Sequence, residues 1–233
     1  MTPDVASAMQ AAIRRSLAMD APLAERLAAY VAASKSLTPA FVEPVEALVA
    51  RLRTSGAGAA APTVGERMPP FALPDETGRI VTLAGLLAEG PVAVVLDRGH
   101  WCPYCRISTA ALARAEGAIR DGGGRLVAII PERQSYARTL RSQAGAGFPI
   151  LSDMDNGYAL TLGLAFWIGA DLQGLYTSIG NHMPDFHGND AWMLPIPATF
   201  VVGRDGRVRA RFVEPDYRRR MAVEDLVAAV AAA

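Results

Sequence analysis

Apolar positions recur at intervals of three and four through the first fifty residues. Val5, Met9, Ala12, Ile13 and Leu17 predict one amphipathic helix. Leu23, Leu27, Tyr30 and Val31 predict a second, with Asp20 as its cap and Pro22 near its start. A third opens at Glu43–Pro44, because proline is tolerated in a first helical turn, and carries Val45, Leu48, Val49 and Leu52. The period then vanishes over Thr54–Val64 (TSGAGAAAPTV), which reads as a linker. Beyond it the texture changes to short apolar runs alternating with helical stripes. Ile80–Leu83 predicts a strand, and Pro91–Leu96 and Leu126–Ile130 predict strands buried on both faces. Helices are expected over Cys102–Arg120, Ser135–Gln143, Asn156–Leu164 and Val223–Ala231, and Gly203–Gly206 joins Thr199–Val202 to Val208–Val213 as a hairpin. Between Gly169 and Leu194 the pattern lapses, and the segment reads as a long loop of the kind that covers a site. Strands separated by helices give an α/β fold.

Charge and targeting narrow the function. Twenty-three Lys and Arg balance twenty-three Asp and Glu among 233 residues, so no global basic field is available to hold a nucleic acid. Met1–Asp20 carries an early Asp4 and has its arginines after the apolar positions, the reverse of a secretory signal. No apolar run approaches the ~20 residues that span a bilayer. The expectation is a cytoplasmic chain that binds neither nucleic acid nor membrane. In that compartment two cysteines are more naturally catalytic or metal-binding than a permanent bridge.

Both cysteines lie in Asp97–Arg106 (DRGHWCPYCR), where a buried strand gives way to a helix. Cys102 and Cys105 are three apart and share a face of the first turn. Cys102 sits where unpaired backbone N–H groups and the helix dipole favour negative charge, and Arg98, Arg106 and a protonated His100 add to it. Such settings depress a thiol pKa, so Cys102 is the expected nucleophile. Cys105, one turn deeper, is placed to attack a sulfenic acid or mixed disulfide formed on it. His100 is placed to assist the thiolate or to face solvent. The same residues fit two other uses: a pair of buried small side chains, or zinc held by His100, Cys102 and Cys105 with His182 or His187. A nucleobase deaminase site lacks its upstream His-x-Glu, and Arg106 stands where c-type haem attachment needs histidine.

Trp101–Cys105 (WCPYC) resembles the active-site segment of the thioredoxin superfamily, and Ile196–Val202 (IPATFVV) resembles the proline strand that faces it. Arg98–Arg106, Trp192–Val202 and Phe212–Arg220 together resemble the peroxiredoxin-like branch of the alkyl hydroperoxide reductase/thiol-specific antioxidant family. The likeness runs from about Val64 to Ala231. It implies a thioredoxin-like central mixed sheet flanked by helices over residues 64–233, preceded by a linker at 54–63 and a helical extension at 1–53. It implies Trp101, Pro103, Tyr104, Pro197 and Thr199 as residues supporting the thiols, a cis peptide before Pro197, and an Ile196 backbone that pairs with substrate beside a Trp192 wall. No cofactor or metal is implied. The implied reaction is hydroperoxide reduction through a Cys102–Cys105 dithiol/disulfide cycle reset by thioredoxin, glutaredoxin or glutathione; the alternative is protein disulfide reduction. The chain departs from the resemblance at named places. Val95 and Gly99 stand where peroxiredoxins have Pro and Thr/Ser, and Pro197 where they have arginine, so Arg98 or Arg106 is the expected substitute. The buried acid of thioredoxins falls on Leu96, and Asp97, one residue on, is expected to face the opposite side. Arg218–Arg220 reads as a solvated turn. The N-terminal helices carry no catalytic residue, and their stripe is assigned to a homodimer interface.

Overall fold

A computed structural model describes residues 3–233. The chain opens with three helices, α1 (Pro3–Ala18), α2 (Leu23–Leu37) and α3 (Val42–Thr54). Pro22, not Asp20, occupies the cap position of α2, and no side chain caps it. The next elements are β1 (Ala72–Pro74), β2 (Ile80–Thr82), α4 (Leu83–Glu89), β3 (Val92–Leu96) and α5 (Pro103–Asp121). They are followed by β4 (Arg125–Ile130), α6 (Gln134–Ala144), β5 (Ile150–Ser152), α7 (Gly157–Thr161) and β6 (Ala165–Trp167). Two helices come next where a loop was expected, α8 (Ala170–Ser178) and α9 (Met183–His187). The chain closes with β7 (Met193–Pro195), β8 (Ala198–Val202), β9 (Val208–Val213) and α10 (Val223–Ala231). Leu172 and Tyr176, spaced four apart, give α8 its buried side; the Gly and Asn around them hide that short period.

The main sheet runs β5-β4-β3-β8-β9. β3, β4 and β5 are mutually parallel, and β8 and β9 join antiparallel. Alternation along β3 feeds two apolar layers. Val92, Val94 and Leu96 join one, and Ala93 and Val95 the other. α5 serves both: Cys105 and Ile107 lie in the first layer, Leu112 and Ile119 in the second with α6 and α10.

The N-terminal helices belong to the first layer. Ala12, Ile13, Leu27, Tyr30, Leu48 and Leu52 share one contiguous core with Trp101 and Cys102. The stripe that the sequence assigned to a subunit interface is therefore covered by the chain itself. Arg26 Nε (2.9 Å to Ser16 O) and Arg114 Nη2 (2.6 Å to Leu17 O) satisfy carbonyls at the end of α1 and pin it beside α5. The glycine-rich segment after α3 is not a free tether, since Ala61 is buried and Arg211 donates to the carbonyls of Ala61 (2.9 Å) and Gly58 (3.4 Å).

Candidate active site

Strand β3 ends at Leu96, and residues 97–101 descend as a buried loop onto Cys102, the cap of α5. Glu132, fully buried beyond β4, holds that loop. Its carboxylate accepts from the His100 backbone N–H (2.7 Å) and lies 2.7 Å from His100 Nδ1. Burial raises the Glu132 carboxyl pKa, against the lowering effect of His100. The histidine stacks on Tyr136 and meets the edge of Phe186, so its ring is committed to this clamp and does not line the cavity at Cys102. The loop passes over the carboxylate at Gly99, where φ is +131° and an added Cβ would fall 2.5 Å from Glu132 Cδ. Gly99→Ala is expected to destabilise the protein by about 1–3 kcal/mol, read as a lowered urea midpoint with unchanged slope.

Cys102 and Cys105 are both free and buried. Burial opposes ionisation of Cys102, but a hydrogen bond from the Cys105 thiol, the Arg98 and Arg220 guanidinium charges and the Cys105 backbone N–H outweigh it and bring the pKa down to about 6. Cys105 shifts the other way. Burial, its bond to Cys102 and the nearby Asp97 raise it well above the ordinary thiol value. Its sulfur accepts from the Arg98 backbone N–H (3.3 Å) and lies 3.6 Å from Arg220 Nη2. The surroundings thus drive the two thiols apart, Cys102 toward ionisation and Cys105 toward keeping its proton.

The arginines around the pair are not equivalent. Arg98 is fully buried, donates from Nη2 to Tyr176 Oη (2.8 Å), and lies 3.9 Å from the Tyr217 ring centre and 4.9 Å from that of Trp101. Among the described residues no carboxylate pairs with it, so Cys102 is its anionic partner when ionised. Arg220 lies 3.3 Å from Asp97 Oδ1. Arg106, one turn past Cys102, reaches Gln10 Oε1 at 3.4 Å and leaves its buried Nε unpartnered.

Several expectations need correcting. Asp97 does not face away from the thiols. It is buried, accepts from Thr109 Oγ1 (3.4 Å) and sets its charge beside Cys105, because the strand has already ended at Leu96 and alternation no longer governs its direction. Burial raises its pKa against the pull of Arg220 and the hydrogen bonds it accepts. The Arg218–Arg220 run is not a solvated turn: Arg220 is buried at the site, Arg218 pairs with Glu46 (2.6 Å) and Asp216 (2.7 Å), and only Arg219 is solvated. The Ile196–Pro197 bond is trans, since there is no cis peptide among the described residues. Register pairs Leu96 with Ala198, so Pro197 does stand beside the start of the 97–101 loop. Ile196 is buried with its N–H already donating to Leu164 O (2.8 Å), so its amide is not free for substrate. Trp192 (φ +51°) packs against His182, and neither Ile196, Trp192 nor the buried Thr199 lines the cavity at Cys102.

Trp101, Pro103 and Tyr104 do line it, with Arg98 and Arg106. Tyr104 meets Tyr30 and Tyr217 edge-on, and its hydroxyl is 3.4 Å from Ser34 Oγ. The far walls are α1, α2 and α8, which residue spacing alone did not bring to the site. His182 pairs with Asp185 (3.1 Å), and His187 is buried without a hydrogen-bond partner, its pKa lowered to about 4 by burial. The zinc alternative thus lacks its ligand set: among the described residues no group of three or more His, Cys, Asp or Glu side chains could hold a metal ion. Nor is any helix among them long and apolar enough to cross a membrane.

Residues 64–211 match the model of the AhpC/TSA family. Solved structures similar to this chain include the peroxidoxin BcpB of Mycobacterium tuberculosis (19% identity, 73% of this chain and 97% of that one, TM-score 0.57). They also include a mutant of peroxiredoxin 6 of Arenicola marina (17% identity, 71% and 70%, TM-score 0.53). A third is peroxiredoxin Q of Xanthomonas campestris (13% identity, 70% and 90%, TM-score 0.53). These identities speak for the fold. No curated protein sequence matches the chain.

Proposed function

Because the chain belongs to the AhpC/TSA family, we propose that it is a thiol-dependent peroxidase in which Cys102 is the peroxidatic and Cys105 the resolving thiol. The observation that carries this reading is the position of Cys102 at the cap of α5, on a walled cavity lined by Arg98, with Cys105 one turn on and 3.6 Å from Arg220 Nη2, a setting that favours the Cys102 thiolate and keeps the proton on Cys105. The Cys102 thiolate attacks one oxygen of a hydroperoxide and the O–O bond breaks. The departing alkoxide takes a proton to become the alcohol, and Cys102 is left as the sulfenic acid. Cys105 then loses its proton and attacks the Cys102 sulfur. Water departs and the disulfide forms. Two electrons and two protons from an external thiol reductant, of thioredoxin, glutaredoxin or glutathione type, restore the pair. Asp97, whose carboxylate lies beside Cys105 with a pKa raised by burial, accepts that proton once the Cys105 thiol turns from Cys102. The cytoplasm, where such reductants are maintained, suits this cycle.

Burial of Cys102 at the bottom of a walled cavity counts against a protein disulfide as substrate, because an extended polypeptide needs an open edge beside the sulfur. The test is stoichiometric. The reduced protein is expected to consume one hydroperoxide per chain, lose both thiols, and react at least about tenfold faster than with a disulfide-bonded protein. Faster reduction of the protein disulfide would replace this reading with disulfide reductase.

A further inference from the structure

The cavity above Cys102 encloses about 230 Å³. Residues 64–231 do not build it alone: Met9, Gln10, Ile13, Tyr30, Val31 and Ser34, from α1 and α2, form one side. Aromatic rings dominate the other, namely Phe41, Trp101, Tyr104, Tyr176 and Tyr217. The charges in the wall all have one sign. Lys35, Arg98, Arg106 and Arg218 line it, and no Asp or Glu does. Two of these cations are already matched from outside the cavity, since Lys35 and Arg218 both bind Glu46 (3.5 and 2.6 Å). Arg98 is committed to Cys102 and the tyrosines. Arg106 remains. It is half-buried and, among the described residues, has no carboxylate partner, keeps a buried Nε unpartnered, and makes one long bond to Gln10. A half-buried guanidinium held without an acid is an anion site awaiting its anion.

We infer that the N-terminal helices close this cavity around a small amphipathic anion, and that the substrate brought to Cys102 is an organic hydroperoxide bearing a carboxylate seated on Arg106. This rests on the peroxidase reading and adds the substrate class to it. The carboxylate accepts from Arg106, the apolar body lies among the aromatic rings, and the peroxide reaches Cys102, one helical turn (about 5.4 Å) before Arg106. The chemistry at sulfur is unchanged. The O–O bond breaks, the alcohol bearing the same carboxylate leaves, and the sulfenic acid remains.

Binding and turnover can be separated. For binding, the reduced protein is titrated calorimetrically with 4-(2-hydroxypropan-2-yl)benzoate, the alcohol product of a carboxylated cumyl hydroperoxide, and with its methyl ester. The wild type is expected to bind the carboxylate at least about tenfold more tightly than the ester. Arg106→Gln should bring the two within about threefold, Arg106→Lys should retain part of the preference, and Val31→Trp, which fills the cavity, should weaken both ligands. Equal affinities in the wild type, or a preference that survives Arg106→Gln, would overturn the inference whatever the variants' stability. For turnover, the matching hydroperoxides are compared by kcat/KM, with the same ratio expected. If the carboxylate binds selectively but no hydroperoxide is consumed, the anion site stands and the peroxidase reading falls. If hydrogen peroxide is consumed but the carboxylate gains nothing, the reverse holds.

Discussion

Arg98→Met is expected to lower the rate of hydroperoxide reduction at pH 7 by roughly 10- to 100-fold and to return most of it by pH 9. In the native protein Cys102 titrates at about 6, so the thiolate predominates at neutral pH. Burial pushes its pKa upward, and only hydrogen bonds and two guanidinium charges hold it down. Without Arg98 the burial cost meets one guanidinium fewer, and the thiol moves back to or past the ordinary ~8.5. About one to ten per cent thiolate then remains at pH 7. Alkylation by iodoacetamide across pH reads the shift directly, and a midpoint unmoved from that of the wild type would refute it. Stability should move differently. Arg98 is a buried cation with no carboxylate partner among the described residues, and methionine fills similar volume among Trp101, Tyr176 and Tyr217. When Arg98 goes, Cys102 keeps its proton at neutral pH, so no uncompensated charge is left buried and the expected cost to folding is small. In the wild type the depressed Cys102 pKa stabilises the fold fully above the unfolded thiol value of about 8.5. That contribution is lost as pH falls through the native value of about 6. The Met variant should lose this dependence.

The contrast between Arg98 and Arg220 shows where the sequence stops being informative. β3, the Cys102 cap of α5 and the β8–β9 hairpin are legible because each is a local pattern: an apolar run, a Cys-Pro start, a Gly-Arg-Asp-Gly turn. Arg98 is legible as charge near the thiols because it is four residues away. Arg220 lies 123 positions from Asp97 and sits in a run of three arginines that has every mark of a solvated turn. Only tertiary packing tells the buried member from its neighbours. Asp97 fails for another reason. Alternation holds only within a strand, and because β3 ends at Leu96 it does not set the direction of Asp97. Thr199 pairs with Val95 in the sheet and Pro197 stands just before β8, yet neither lines the cavity at Cys102, which forms against helices that residue spacing assigned to a subunit contact. Glu132 has no signal at all. A lone acid after a buried strand becomes the clamp of the 97–101 loop only through Gly99 and His100.

Asp97 and Arg220 form the most consequential pair in the molecule. Both are buried and 3.3 Å apart, Arg220 reaches Cys105 Sγ at 3.6 Å, and the Asp97 charge faces the same thiol. Removing one charge strands the other in a medium that cannot solvate it. Asp97→Asn and Arg220→Gln are therefore each expected to cost about 3–5 kcal/mol of unfolding free energy. The double variant should cost much less than the sum, because no uncompensated charge is left in it. Chemical denaturation of the four proteins reads that coupling, and additive losses would show that the two groups act apart. Chemistry separates the pair in the opposite sense. Arg220→Gln removes a charge that helps ionise Cys102, so the first step should slow at pH 7. Asp97→Asn leaves Arg98 and Arg220 facing Cys102 and removes the group placed to take the Cys105 proton, so the first step should persist while resolution slows. The Cys102 sulfenic acid then accumulates and is trapped by dimedone after one equivalent of hydroperoxide, where the wild type has already closed its disulfide. Equal trapping in Asp97→Asn and wild type would mean that Cys105 loses its proton by another route, directly to the hydroxide that leaves Cys102 as water.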